Sequence, residues 1–217
     1  MTPGLWKMIG NGVIETLQMT VISTALAYVI GLPLGILLVV TSKGHILQNR
    51  VINLVLGTVM NVLRSVPFLI LLVVLIPFTR FVVGSSIGTT ATIVPLTVGA
   101  VPIVARMVES SLKEIPTGII EAAEAMGASP PSIIFRFMLP EATPSLMLGV
   151  TINLATVLGY SAMAGCIGGG GLGAIALNYG YYRYQKDILL ITVAILIIIV
   201  QAFQEAGALL ANKKRHS

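Results

Sequence analysis

Gly168, Gly170 and Gly173 stand in the spacing G-x-G-x-x-G, which in dinucleotide-binding proteins lets backbone amides cradle a pyrophosphate. That meaning requires a strand before the glycines and a helix after them, within a βαβ unit. Here the glycines follow a long apolar stretch, so a flexible or tightly packed loop is expected instead of a nucleotide site. The chain has no G-x-x-x-x-G-K-[ST], the loop that holds phosphates beside a lysine. If ATP drives this protein, hydrolysis belongs to another polypeptide. His45 and His216 are its only histidines and Cys166 its only cysteine; none has metal-ligand spacing and no intrachain disulfide can form. Glu15, Asp187 and Glu205 lie near the ends of apolar stretches, so no pair of buried acids is in place for a proton relay. No catalytic residue, metal or cofactor is expected, and the chain does not read as an enzyme.

The elements that must carry these residues follow from composition. The 217 residues are 56% hydrophobic and only 10% charged, with a mean hydropathy of +0.96. A soluble domain needs roughly a quarter of its residues charged, so the chain is expected to be an all-α polytopic membrane protein. Its net charge of +5 is too scattered for nucleic acid and suits an anionic lipid surface. Met1 to Gly12 lacks the basic start and cleavage site of a signal peptide, so an uncleaved N-terminus is expected. A spanning helix takes ~20 apolar residues. Gaps between charges place five spans, at about Thr16–Ser42, Val51–Phe78, Ala91–Ser110, Ala142–Ala164 and Ile188–Ala211.

Alternate loops sort the basic residues. Lys43, Arg50, Arg106, Lys113, Arg136, Lys213, Lys214 and Arg215 fall on one side, and Lys7, Arg80, Arg183 and Lys186 on the other. The richer side is expected to be cytoplasmic, which puts the N-terminus outside and the C-terminus inside. Trp6 and the tyrosines between Tyr179 and Tyr184 fit an aromatic belt at the outer interface.

Within the spans, Thr16, Thr20, Ser23, Thr24, Ala27, Gly31 and Gly35 recur every three or four residues. They make a small face that lets helix backbones approach in lipid. Asn53, Gly57, Asn61 and Arg64 form a polar stripe on the second span, and Gly149, Asn153, Thr156 and Tyr160 another on the fourth. The stripes either line something wet or bond to each other. The last span, apolar all round from Ile188 to Val200, is expected at the periphery. Pro33, Pro67, Pro95 and Pro102 fall inside spans, where each removes a helix hydrogen bond and can kink the helix. Arg64 is the one charge placed near mid-span. It either shapes a pathway or snorkels to the inner interface.

Between the third and fourth spans, Glu114 to Glu141 reads as a short helix, a glycine stop and a second short helix. Ile119, Ile120, Ala123 and Met126 share an apolar face, with Glu121 and Glu124 on another. Gly127 can take the left-handed geometry that ends a helix. Ser129 before Pro130 is a restart signal, a capping residue followed by proline at the first helical position. The result is a compact cytoplasmic elbow, small at Ala122 and Ala123, shaped to dock into a groove.

The elbow residues Glu121, Ala122, Ala123, Gly127, Leu139 and Pro140 resemble the signature loop of bacterial ABC importer permeases. The pattern is Glu-Ala-Ala, three residues, Gly, nine residues, then hydrophobic-x-Leu-Pro. Phe137 stands where that family usually has isoleucine. Arg64–Phe68, Val94–Ala100, Gly159–Met163, Gly168–Gly173 and Asn178–Tyr181 resemble the methionine-uptake subfamily. The resemblance implies the type I ABC importer permease fold with five transmembrane helices. It implies one permease domain over residues 1–217, its core at about 12–211, with the coupling-helix loop at 114–141. It also implies a bacterial inner-membrane location and methionine, with its D-isomer or derivatives, as the substrate. One elbow per chain implies a homodimer serving two cytoplasmic ATPases. An extracytoplasmic binding protein would dock on Gly84–Thr90 and Gly165–Lys186. By the same resemblance Met163, with Tyr160 and Ser161, would constrict the pathway, ordinary helix packing being the other reading of Met163; Asn61 and Arg64, on the polar stripe of the second span, are candidates to line it. A competing class, an ion-coupled secondary transporter of small amino acids, requires a coupling-ion site and often inverted repeats. Neither is visible in the sequence. A membrane enzyme or scaffold would leave the elbow without a purpose.

Overall fold

The computed structural model describes residues 3–215; His216, one of the two histidines considered above, lies outside them. Helix α1 (Pro3–Val40) is 38 residues long, so it extends roughly 57 Å at 1.5 Å per residue. It therefore starts well before the span expected from Thr16. Helix α2 (Arg50–Ser65) opens on Asn49, whose side chain accepts from the Val51 and Ile52 amides. Helices α3 (Phe68–Val74) and α4 (Ile76–Val83) follow. The long α5 (Thr89–Lys113) leads into α6 (Thr117–Ala125).

From Pro130 the chain is helical again through α7 (Pro130–Ser132), a π-helical segment (Ile133–Met138), α8 (Leu139–Glu141) and α9 (Thr143–Ala164). A glycine-rich turn then gives α10 (Gly171–Ile175), a second π-helical segment (Ala176–Tyr181), and α11 (Lys186–Arg215). Four of these helices are long and apolar enough to cross a membrane, and α2 with α3 makes a fifth if counted as one bent span.

The second span is not the continuous helix expected over Val51–Phe78. It breaks between Ser65 and Phe68 with a bend of 101°. Proline crowds the residue before it out of the helical region, and Val66 is accordingly extended, at φ −78° and ψ 124°. Pro33, Pro95 and Pro102 stay inside intact helices. Arg64 therefore sits in the last turn of α2, exposed, where the helix dipole favours a cation.

The core is built on α1 and α5, the most extensively packed pair. All seven residues of the small face on α1 are buried. At Gly31 an added Cβ would lie 2.7 Å from Val104, and at Gly35 2.6 Å from the Ala105 carbonyl. Only glycine allows the two helices this approach. The last helix, α11, is peripheral as expected: Leu190, Ile197 and Ile198 are exposed, and it rests chiefly on α9.

Candidate functional site

The elbow forms because two local signals agree with the packing around it. Helix α6 ends in a left-handed Gly127 at φ +76°. The Ala128 amide donates to the Ala123 carbonyl (3.1 Å) and the Gly127 amide to that of Glu124 (2.9 Å). This pair of bonds satisfies the last carbonyls of the helix and is the glycine-terminated cap. Ser129 then takes an extended conformation, φ −69° and ψ 151°, and the helix restarts at Pro130, but the Ser129 hydroxyl makes no capping bond. Pro131 removes one of the two amides, that of the second helical position, which such a hydroxyl can reach.

The elbow has a firm inner face and an open outer one. Ile115, Ile120, Ala123, Ile133, Met138 and Ala142 are buried in the same apolar core as α1 and α5. Glu121, Ala122, Glu124 and Ala125 are exposed, as are Met126 at 71% and Phe135 at 66%. The expected apolar face thus divides: Ile120 and Ala123 hold the elbow to the bundle, while Met126 projects from it. Leu139 is half-buried and Pro140 exposed; both lie on the helix that rises into α9. The exposed side chains of the elbow include two small ones, Ala122 and Ala125, and two large apolar ones, Met126 and Phe135.

Beside the elbow, the loop carrying His45 lies within electrostatic reach of Lys113 and Glu124. His45 is half-buried. Burial, and after it the Lys113 charge, pulls its pKa below the ordinary histidine value, against a smaller opposing pull from Glu124.

The polar stripe on α2 serves helix–helix bonding over most of its length. The Asn53 amide donates to the Leu38 carbonyl (2.6 Å) and to Thr41 Oγ1 (3.2 Å). Arg106, from α5, donates to the Gly57 carbonyl (2.9 Å) and to Asn61 Oδ1 (2.8 Å). Its other terminal nitrogen is ion-paired with Glu109, which Lys113 also holds at 2.7 Å. Glu109 is 9% exposed, a buried carboxylate one turn from the end of α5 that the sequence pattern alone had not singled out. The Arg106, Glu109 and Lys113 spacing of three and four residues on one helix was the signal that could have found it.

On α9, Tyr160 stacks on Phe68 with ring centroids 4.0 Å apart. Met163 is half exposed. Ser161 is buried, its hydroxyl spent on the Leu158 carbonyl at 2.7 Å. At the opposite end from the elbow the glycine cluster is tightly packed. A Cβ on Gly165 would run into the Ala174 amide and one on Gly173 into the Ala162 carbonyl. Glu15 Oε2 accepts from the Gly171 amide (2.7 Å) and Thr16 Oγ1 from that of Leu172 (2.9 Å). The Gly88 amide donates to the Gly168 carbonyl (2.9 Å), which joins the two loops expected on the outer side.

Comparison with known proteins agrees with this arrangement. Residues 31–206 match the family model of the binding-protein-dependent transport system inner membrane component. A probable D-methionine transport system permease protein of Vibrio cholerae is 50% identical, over 93% of this chain and 90% of its own length. A counterpart of the same description from Pasteurella multocida is 49% identical over the whole of both chains. Among solved structures, one of inward-facing conformations of the MetNI methionine ABC transporter superposes with a TM-score of 0.97 at 48% identity, covering 99% of each chain. An amino acid ABC transporter crystallised with histidines, 22% identical at a TM-score of 0.78 over 95% of this chain and 94% of that one, shares the fold. The chain belongs to the family of binding-protein-dependent transport system inner membrane components.

Proposed function

We propose that this chain is the permease subunit through which an ATP-driven importer passes methionine, including its D-isomer and derivatives, into a bacterial cell. The observation that carries the reading is the elbow. It is held rigidly to the bundle by Ile120, Ala123, Ile133 and Met138, and presents Ala122, Ala125, Met126 and Phe135 to a partner. A subunit with no phosphate-binding loop must receive work from outside, and a firmly anchored knob is how a separate ATPase can deliver it. Two copies of the chain around a two-fold axis offer two elbows to two cytoplasmic ATPases. The chain acts as one permease domain with its N-terminus outside and its C-terminus in the cytoplasm.

Glu121, Ala122, Ala123, Gly127, Leu139 and Pro140 shape the coupling surface. Tyr160 and Met163 on α9, with Arg64 at the break of α2, face the pathway between the two copies. Ser161 and Asn61 support their helices through the bonds described above. On the outer side, the joined loops 84–90 and 165–186 receive the extracytoplasmic binding protein. The ion-coupled alternative needs a coupling-ion site, which a buried carboxylate could supply. Among the described residues, the carboxylate buried in a spanning helix is Glu109, and both its oxygens are engaged by Arg106 and Lys113.

Reconstitution tests the proposal. The chain co-expressed with the ATPase subunit and incorporated in liposomes with its binding protein should take up labelled methionine only when ATP is supplied on the elbow side. Uptake driven by an ion gradient without ATP, or failure of the purified chain to retain any ATPase, would refute it.

A further inference from the structure

We infer that Arg106 is a positioning residue that ties the broken helix α2 to the end of α5 from which the elbow hangs, and so passes the elbow's displacement to the pathway. The inference rests on the functional reading above and extends it to one side chain.

Helix α2 is poorly held by packing. Of its 16 residues only Met60 is buried, against Leu38 and Ala105; Val51, Leu54, Val55 and Val62 are all more than half exposed. Leu56 and Leu63 rest partly buried on that small cluster, and two polar clamps add to the contact. At the start of α2, Asn53 is fastened to the end of α1. From its middle onward, Gly57 and Asn61 are fastened to Arg106.

The guanidinium has a planar fork that can serve two partners at once, a geometry no lysine reproduces. One side of the fork reaches α2, and the other is locked by Glu109, itself locked by Lys113 in the last turn of α5. Directly beyond lie buried Ile115 and then α6. Ser111, in the same turn, shares a 2.9 Å hydroxyl bond with Ser145 at the base of α9. A shift of α6 toward or away from the bundle therefore moves the end of α5. Through the Lys113, Glu109 and Arg106 series it also moves the C-terminal turn of α2, where Arg64 and the break at Pro67 lie. The contiguous bonds give the connection, and the coupling itself is what the experiment must measure.

The test uses the intact complex in liposomes, with labelled methionine uptake and ATP hydrolysis read from the same sample. Arg106→Lys keeps the charge beside Glu109 but loses the fork. Asn61→Ala leaves the ion pairs whole and removes only an exposed acceptor on α2. Each is expected to lower methionine imported per ATP hydrolysed by about two- to thirtyfold, the range of effect found for residues along a coupling path. The thermal midpoint of the Asn61→Ala complex should stay at that of the unaltered one. Unaltered import per ATP in both variants overturns the inference. A ratio that falls only in step with the thermal midpoint overturns it too, and leaves Arg106 as a stabilising contact. If the unaltered complex itself imports no methionine with ATP, the fault lies in the functional reading and not in the clamp.

Discussion

Replacing Gly127 separates what the elbow's backbone needs from what its partner needs. The residue is left-handed at φ +76°, and a Cβ there would meet no atom of the chain within 4 Å. Steric clash within the subunit is therefore not the cost of a substitution; backbone strain is. For an L-residue that strain is about 1–2 kcal/mol, smaller for asparagine and aspartate, whose side chains bond locally. At 1.4 kcal/mol per factor of ten, the elbow of Gly127→Ala should be correctly turned about five to thirty times less often relative to its alternatives. A β-branched Gly127→Val should be worse and Gly127→Asn milder. The assay is retention of the ATPase subunit by membranes carrying each variant, titrated with ATPase, alongside methionine uptake and the amount of inserted chain. Asn, Ala and Val should rank in that order of increasing loss, with insertion unchanged. Equal damage from Asn and Val would mean that the partner's groove rejects any side chain. Full activity in Gly127→Val would show that the left-handed turn is not needed at all. Gly127→Asp belongs to the same series: it should insert normally, and uptake is expected to be abolished because strain, new charge and bulk fall together on the docking surface.

Gly173→Ala drives a methyl group into the Ala162 carbonyl, where overpacking costs about 1–3 kcal/mol; a lowered thermal midpoint and a loosened 165–186 loop in hydrogen exchange should report it. Met163→Ala removes a half-exposed side chain proposed to narrow the pathway, and should raise both substrate leak and ATP hydrolysis in the absence of binding protein; unchanged values would assign Met163 to packing alone. His45 has its pKa lowered in the folded chain by burial and by Lys113, so the unfolded chain binds the proton more readily. The stability it contributes is complete above the unfolded value of about 6.5 and fades as pH falls below it. Protection from hydrogen exchange in residues 41–49, corrected for the intrinsic slowing of exchange at lower pH, should fall between pH 7 and pH 5, and His45→Gln should flatten that dependence.

The parts of the fold readable from sequence were those where spacing alone decides burial or geometry. The small residues of α1, repeating every three or four, map directly onto the face that meets α5, because the helix period turns spacing into direction. The turn of the elbow was equally legible, since Gly127 and Pro130 act through their own backbones, although the expected cap by the Ser129 hydroxyl does not form. The break in the second span was not. Pro67 looks like Pro33, Pro95 and Pro102 in the sequence, and only the surrounding contacts decide which of the four ends a helix. The stripe of Asn53, Gly57 and Asn61 showed polarity but not its partner, which is Arg106 from a different helix. Charge counting assigned Arg106 and Lys113 to a cytoplasmic loop; they lie within α5 and hold a carboxylate between them.

The gap between α2 and α3 also sets a rule for what can surround it. Entering the membrane at Arg50 along its normal, the sixteen helical residues of α2 would raise the chain roughly 24 Å, still short of the ~30 Å depth of hydrocarbon. There the closing carbonyls of α2 lose their onward donors, because Val66 is extended and Pro67 has no N–H. Acyl chains offer such oxygens nothing, whereas water or a polar solute can solvate them. At that depth this flank would have to border a hydrated vestibule or a neighbouring subunit, and not bulk lipid.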